Sequence, residues 1–310
     1  MSRRRARAAK HGGGRRGFII VPVLWILLVL ATLTGVLSVY LARSATALAV
    51  NDDHLRSDAL VSAGLELTAY NLSTGTKQTR PLTGTSTFQF DGAMISVSFS
   101  AESSRVDLNL APKQLLTNLF RVVGADPRDA EQYANRVVGW RSPQADTLDS
   151  ENALYRSAGV SYLPRGAPFA SVEELWLVVG LPPVLIERAM PYVTVYSGRH
   201  EVSVLSAAPE VIASLPGITP AALEQFLKQR QALARDIKAV GDVLGEARGS
   251  ATVDGSDAIR VWTTVMFKNG RRAANETVIL LEAGDEPYHI LAWRDEADVG
   301  SSRRPRGGLL

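Results

Sequence analysis

The stretch that decides the fold is residues 17–42, which read GFIIVPVLWILLVLATLTGVLSVYLA. No charged residue occurs from Phe18 to Ala42, and a helix of this length crosses a hydrocarbon core of ~30 Å. Residues 1–17 hold seven Lys or Arg residues and no acidic residue. The positive-inside rule therefore predicts one membrane-spanning helix, with the leader in the cytoplasm and the rest of the chain outside.

Three interpretations of this segment stay open on the residues alone. A cleaved secretory signal has an apolar region of only ~7–15 residues, although Ala45-Thr46-Ala47 supplies small residues after the longer run seen here. An uncleaved anchor is the second interpretation. The third, which we favour, is a prepilin leader cut between Gly17 and Phe18, so that the whole apolar helix survives at the mature N-terminus.

Composition limits the function classes of the exported part. The chain has no Cys, which excludes disulfides and thiolate metal sites. Outside the leader and the arginine-rich tail, residues 18–302 hold 24 basic and 31 acidic residues. An acidic body is poorly suited to binding polyanions, so we expect no nucleic-acid partner. No nucleophile or phosphate-loop motif is present, and we expect no enzymatic activity.

The pattern along the chain predicts an α+β protein. We expect a leader (1–17), a transmembrane and extended N-terminal helix (18–72), and a first β part (73–110) with a hairpin at Asp91-Gly92. An inserted α-helical domain (111–200) follows, with a loop from residue 141 to 170 and a capping box that begins at Ser171. A second helical pair and the C-terminal strands (201–299) precede a disordered tail (300–310).

Two motifs suggest binding chemistry. Leu215-Pro-Gly-Ile-Thr219 and Val179-Gly-Leu-Pro-Pro183 resemble helix-hairpin-helix turns, which in some proteins hold a phosphate. The alternative function is therefore a membrane-anchored helix-hairpin-helix nucleic-acid-binding protein, but no Lys or Arg lies within ten residues before Gly217. Asp146, Asp149 and Glu151 cluster in one loop, where their carboxylates could hold calcium or simply face solvent.

A family resemblance joins these features. Its pieces are the Gly17-Phe18 junction, Asp107-Leu-Asn-Leu-Ala-Pro112, Gly166-Ala-Pro-Phe-Ala-Ser-Val-Glu-Glu-Leu175 and Val202–Thr219, in this order. The chain resembles the K-type minor pseudopilin of type II secretion systems over nearly its whole length. The resemblance implies a pseudopilin-like antiparallel β-sheet head, split by an inserted helix-hairpin-helix/SAM-like domain. It also implies cleavage by prepilin peptidase and N-methylation of Phe18.

The resemblance further implies a structural role at a filament tip. Implied partners are the I-type and J-type minor pseudopilins and other pseudopilins, and the implied location is the inner membrane with a periplasmic head. The tip subunit would help start assembly, limit filament length and support protein export. Most pilin-like subunits carry Glu at the fifth mature position, where this chain has Pro22, and this departure suits a subunit with no neighbour above it.

Calcium binding is also known in the family. This chain has fewer of the family's acidic residues, because the matching positions read Gly139-Trp-Arg-Ser142 and Asp149-Ser-Glu-Asn152. We therefore expect Asp146, Asp149 and Glu151 to give at most weak calcium binding.

Overall fold

The computed structural model describes residues 20–143, 150–233, 235–283 and 286–295. Contacts divide the chain into two compact units that meet between Asp58 and Ala59. Helix α1 (Ile20–Ser73) contains the described part of the first unit and the start of the second. Its segment Ile20–Leu41 has a mean hydropathy of 2.6 and is, among the described residues, the one stretch long and apolar enough to cross a membrane.

The described part of the second unit combines nine strands with short helices. The strands are β1 (Thr83–Phe90), β2 (Ala93–Ala101), β3 (Val106–Asp107), β4 (Val193–Thr194), β5 (Val202–Ser203), β6 (Ala251–Thr252), β7 (Ala258–Phe267), β8 (Arg272–Ala283) and β9 (Glu286–Asp295). The further α-helices are α2 (Lys113–Val122), α3 (Pro127–Arg141), α4 (Glu151–Ser157), α5 (Pro183–Ala189), α6 (Pro209–Ala213), α7 (Pro220–Gln229) and α8 (Ile237–Leu244). Short 3₁₀ helices occupy Glu102–Ser104, Val172–Leu177, Met190–Tyr192 and Gly245–Ser250.

Five strands form one antiparallel sheet in the order β1-β2-β7-β8-β9. The end of α1 lies against one face of this sheet, where Leu65 and Leu72 share a core with Val261 and Ile279. Gly64 makes this approach possible, because a Cβ there would lie only 3.1–3.2 Å from side chains of β2 and β7. The hairpin predicted at Asp91-Gly92 is confirmed, and both residues have the positive φ that its two-residue turn requires.

The helical part is inserted between β2 and β7. One hydrophobic core extends through it from Val106 to Val253, across the predicted boundary at residue 200. The insertion is therefore a single packed body rather than two separate helical pieces.

The insertion contains a structural repeat. Strand β3 pairs in parallel with β4, and β5 pairs in parallel with β6. The residue that follows the first strand of each pair donates to the carbonyl of the last residue of the second strand. Leu108 N donates to Thr194 O (2.8 Å), and Val204 N donates to Thr252 O (3.0 Å).

The helices of the two repeats also match. Asp126 caps α3 and Thr219 caps α7, and each cap is followed by a proline at the first helical position. At the far ends of these helices, Arg141 Nη2 donates to Ala111 O (2.8 Å) and Arg230 Nη1 donates to Ala207 O (2.7 Å). The two arginines thus hold equivalent carbonyls, one in each repeat.

Three local predictions are wrong. The expected loop from 141 to 170 contains α4, whose first turn is capped by Ser150. The segment that begins at Ser171 is a 3₁₀ helix, and Ser171 forms no capping hydrogen bond. The Glu174 carboxylate instead accepts hydrogen bonds from Trp140 Nε1 and Ala170 N. Because Glu174 is bound to the distant Trp140, the predicted capping box does not form. Helix α8 was not expected.

Candidate functional sites

The processing junction and the assembly position lie at the start of the chain. Gly17 and Phe18 lie outside the described residues. Pro22 is the third described residue of α1 and is exposed. Proline has no N–H to donate, and this loss is tolerated in the first turn of a helix, where Pro22 lies.

The acidic cluster is only partly within the described structure. Asp146 and Asp149 lie outside the described residues. Glu151 is the first residue of α4, and its Oε1 accepts a hydrogen bond from Arg136 Nη1 of α3 (2.8 Å). Its Oε2 is sealed from solvent and has no hydrogen-bond partner among the described residues. Within the described ranges, no group of three or more His, Asp or Glu side chains converges as a metal site.

The Asp107–Pro112 motif joins the start of the insertion to two later segments. The buried Asp107 carboxylate accepts from Ser197 Oγ (2.8 Å) and from the backbone N–H of Gly198 (3.1 Å). Asn109 Oδ1 accepts a hydrogen bond from Phe169 N (2.6 Å), and Asn109 Nδ2 donates one to Phe169 O (3.0 Å). The motif and the Gly166–Leu175 stretch, both quoted for the resemblance, are therefore in direct contact.

A buried ion cluster connects the sheet to the insertion. Arg260 on β7 binds both carboxylate oxygens of Glu102, with Nε–Oε1 and Nη2–Oε2 distances of 2.6 and 3.0 Å. Its Nη1 also donates to Glu276 Oε1 on β8 (2.6 Å). Thr194 at the end of the insertion's first repeat donates to Glu102, and Arg294 on β9 bridges Glu276 to Glu173. The cluster therefore fixes the insertion to three neighbouring strands.

Electrostatics in this cluster favour the charged forms. Burial alone would raise the pKa of Glu102, but the charge and hydrogen bonds of Arg260 outweigh it and lower that pKa. The pKa of Glu276 is lowered by the same balance. Arg105 makes no such direct pair with any described residue: its guanidinium carbon lies 5.9 Å from the Trp262 ring centroid, and burial together with the Arg260 charge lowers its pKa to about 10.

The turns that suggested phosphate binding are packed against other parts of the insertion. A Cβ on Gly217 would lie 2.9 Å from Glu246 Cβ and 3.5 Å from Ala247 N, so the turn contacts the 3₁₀ helix that carries an acidic residue. The equivalent glycine of the first repeat is Gly124, where Arg188 lies over the turn and donates to Val123 O. In the other predicted turn, Val179–Pro183, Val179 N donates to Tyr155 Oη (3.0 Å), and a Cβ on Gly180 would lie 3.9 Å from Arg136 Nε. Each of these turns is therefore in contact with other elements of the insertion.

Comparison with known proteins identifies the region that contains the Asp107 motif and the first repeat. Residues 98–198 match the family model described as type II secretion system (T2SS), protein K. This region of the chain is similar to the type II secretion system protein K family. The predicted resemblance to that family is confirmed.

Two relatives extend the match. The type II secretion system protein K of Klebsiella pneumoniae is 29% identical over 125 residues, which cover 39% of this chain and 38% of that protein's length. The crystal structure of the GspK-GspI-GspJ complex from enterotoxigenic Escherichia coli contains a chain with the same fold. It matches with a TM-score of 0.61 and 16% identity, over 82% of this chain and 99% of that chain. The predicted α+β fold class is confirmed.

The sequence did not point to the residues that hold the protein K region to the sheet. Glu102 and Arg260 are 158 positions apart, and neither belongs to a recognisable motif. The available signal was weak: Arg260 is the one charged residue of β7, and a charged side chain is unusual in a strand whose residues end up mostly buried.

Proposed function

We propose that this chain is a minor pseudopilin that forms the tip of a type II secretion pseudopilus. The observation that carries the proposal is the presence, in one chain, of a membrane-length N-terminal helix and a protein K region set into an antiparallel sheet. In this role the chain helps to initiate filament assembly, limits filament length and supports export across the outer membrane. The role is structural, and we assign it no catalytic activity.

The proposed location follows from the first 42 residues. A basic leader before an uncharged membrane-length helix orients the chain with its leader in the cytoplasm. The helix is held in the inner membrane, and the sheet and insertion lie in the periplasm.

The proposed partners are the I-type and J-type minor pseudopilins. Support comes from the fold match to GspK, which was crystallised with GspI and GspJ. Other pseudopilins contact the helix in the filament, and prepilin peptidase processes the leader.

Processing provides the first test. We expect mass spectrometry of the mature protein to find an N-methylated Phe18 at its N-terminus. Gly17→Glu places a charge at the cleaved bond and should block processing, whereas Gly12→Glu, within the leader, should not. A mature chain that begins after Ala47, or one that retains residues 1–17, would refute the pseudopilin role.

Filament position provides the second test. Pro22 offers no carboxylate to the N-terminal ammonium of a subunit above, so we propose about one copy per filament, at the tip. In a strain without the chromosomal gene, immunogold labelling should mark only filament ends for the wild type and for Pro22→Ala. Pro22→Glu should enter the shaft or disturb tip placement. Wild-type labelling along the whole shaft would contradict the proposal.

Calcium binding at Asp146, Asp149 and Glu151 is a further, weaker proposal. The sealed Oε2 atom of Glu151 supports it, because a buried carboxylate oxygen without a donor is stabilised by a cation. The other Glu151 oxygen is already paired with Arg136, which limits the negative charge left for a metal.

A further inference from the structure

Strand β1 forms one edge of the five-stranded sheet and lacks the usual protection of an edge. Its eight residues, TGTSTFQF, contain no charge and no proline. Natural edge strands are usually blunted by charged residues, prolines or bulges, because exposed backbone groups recruit other strands. The opposite edge, β9, follows this rule, since it carries Glu286, His289, Arg294 and Asp295 and has an irregular register with β8.

The register shows which backbone groups of β1 point away from the sheet. Phe90 pairs with Ala93 across the two-residue turn, and Leu82 O accepts from Ala101 N (2.8 Å) just before the strand. In an antiparallel ladder, every second residue bonds to the neighbour and the alternate residues face outward. The outward N–H and C=O groups therefore belong to Thr83, Thr85, Thr87 and Gln89. Within the described residues, none of these four makes a backbone hydrogen bond outside the β1–β2 ladder.

The side chains of β1 define what a sixth strand would meet. Phe88 and Phe90 lie on the face that α1 covers, and Phe90 remains 57% exposed. The opposite face carries only hydroxyl and amide side chains. Phe99 on β2 holds the strand in place, because its ring lies where a Cβ of Gly84 would be, at 2.6 Å. The edge is thus an ordered template, apolar on one face and polar on the other.

We infer that β1 receives an extended segment of a partner minor pseudopilin, which adds a sixth strand to the sheet. The added segment is uncharged and alternates apolar residues beside Phe88 and Phe90 with polar residues beside the threonines. This mode of binding takes affinity from main-chain hydrogen bonds and specificity from alternate side chains. The inference rests on the proposed function, because a constant partner in the assembled tip explains how an unprotected edge avoids aggregation.

Hydrogen exchange on the native assembly tests the inference. The full chain is purified in detergent, alone and after co-expression with the I-type and J-type subunits of the same system. We expect the amides of Thr83, Thr85, Thr87 and Gln89 to exchange about tenfold or more slowly in the complex, as new backbone hydrogen bonds form. The amides that already bond to β2 should change less.

A pair of variants at one position separates the backbone from the side chain. Thr85→Pro removes an outward N–H without removing a β1–β2 bond, and proline is tolerated at such edge positions. Thr85→Val keeps the N–H. We expect Thr85→Pro to weaken the complex about threefold to tenfold, the size of one net backbone hydrogen bond. Thr85→Val should bind like the wild type, and equal thermal midpoints of the free variants would show that both fold.

Each other outcome overturns a distinct statement. A complex whose four outward amides exchange as in the free chain overturns the β1 interface and leaves the proposed function intact. Failure of the three wild-type subunits to associate overturns both. Protection of these amides in the free chain, together with a dimer in light scattering, would assign the edge to a second copy and overturn the partner stated here.

Discussion

Replacing Arg260 by Met removes the cation that lies between two buried carboxylates. The exposed fractions of the Arg260, Glu102 and Glu276 side chains are 3%, 0% and 2%. Arg260 donates all three of its hydrogen bonds to these two groups. After the substitution Glu276 keeps bonds from Trp262 and Arg294, but among the described side chains Glu102 keeps only Thr194 as a hydrogen-bond donor. Most of the cost therefore falls on Glu102.

The expected loss is large on the scale of a folded domain. Removing one partner of a buried ion pair costs ~3–5 kcal/mol, because the other charge stays buried without compensation. Domains are stable by only ~5–15 kcal/mol, so Arg260→Met should take a substantial fraction of the free energy of unfolding. Glu102→Met combined with Arg260→Met removes both charges and should recover much of the loss.

Urea denaturation of the compact unit from residue 59 to 295, followed by tryptophan fluorescence, measures these changes. Lys228→Met is the matched control, because the Lys228–Glu224 pair is exposed and its loss should leave the midpoint unchanged within error. A loss below about 1 kcal/mol for Arg260→Met, which is less than the range for breaking a buried pair, would refute the reasoning.

The pH dependence of the same transition follows from the two glutamates. Their folded pKa values lie below the ordinary value of 4.5, so the folded state binds fewer protons than the unfolded state in the acid range. The stabilisation is fully present above pH 4.5 and is lost as the pH falls through the lowered folded values. In Arg260→Met this acid sensitivity should shrink. A wild-type stability that stays constant from neutral pH to well below 4.5 would contradict the lowered pKa values.

Three further changes test local packing and the cation proposal. Gly139→Ala should destabilise the same unit by ~1–3 kcal/mol, because the added Cβ would lie 2.4 Å from Glu151 Cγ. Gly249→Ala is the control, because a Cβ there meets no atom within 4 Å. Equal urea midpoints of the two variants would refute the predicted loss. Asn109→Ala should cost ~1–3 kcal/mol, because it leaves a backbone N–H and C=O of Phe169 unpaired. Asn118→Ala serves as its control, because Asn118 makes only an exposed side-chain hydrogen bond with Gln114 among the described residues; a cost equal to the control's would refute the contact. Calorimetry should find calcium affinity no tighter than the micromolar range, lost in Glu151→Gln, and submicromolar binding would contradict the weak site.

Elements governed by local pattern could be predicted from the sequence. The uncharged run after Phe18 defines the apolar helix, and the Asp91-Gly92 pair between alternating residues defines the hairpin. Strand β8, by contrast, begins at Arg272, and its first residues are polar or small and take their conformation from β7. Register with a neighbour, rather than propensity, decides such boundaries.

Elements governed by distant partners could not be predicted. The capping box at Ser171 had the right local residues, but the Glu174 carboxylate is held by Trp140 and Arg165 instead. Helix α4 is short, and Glu151 packs in a space that exists only because Gly139 has no side chain. In each case a contact across more than eight positions outweighs a local preference worth about 1 kcal/mol.

The structural repeat explains why the chain resembles helix-hairpin-helix proteins without sharing their phosphate chemistry. Each repeat turns at a glycine with positive φ, Gly124 in the first and Gly217 in the second, before a capped helix with proline at its start. In a phosphate-binding turn the backbone amides must face solvent beside basic residues. Here the exposed Gly217 lies against Glu246, an acidic rather than a basic residue, and the end of the preceding helix is fixed within the same core. The turn geometry therefore allows the two helices of each repeat to pack beside their parallel strand pair. The helix-hairpin-helix motif in this chain indicates this packing and does not indicate phosphate binding.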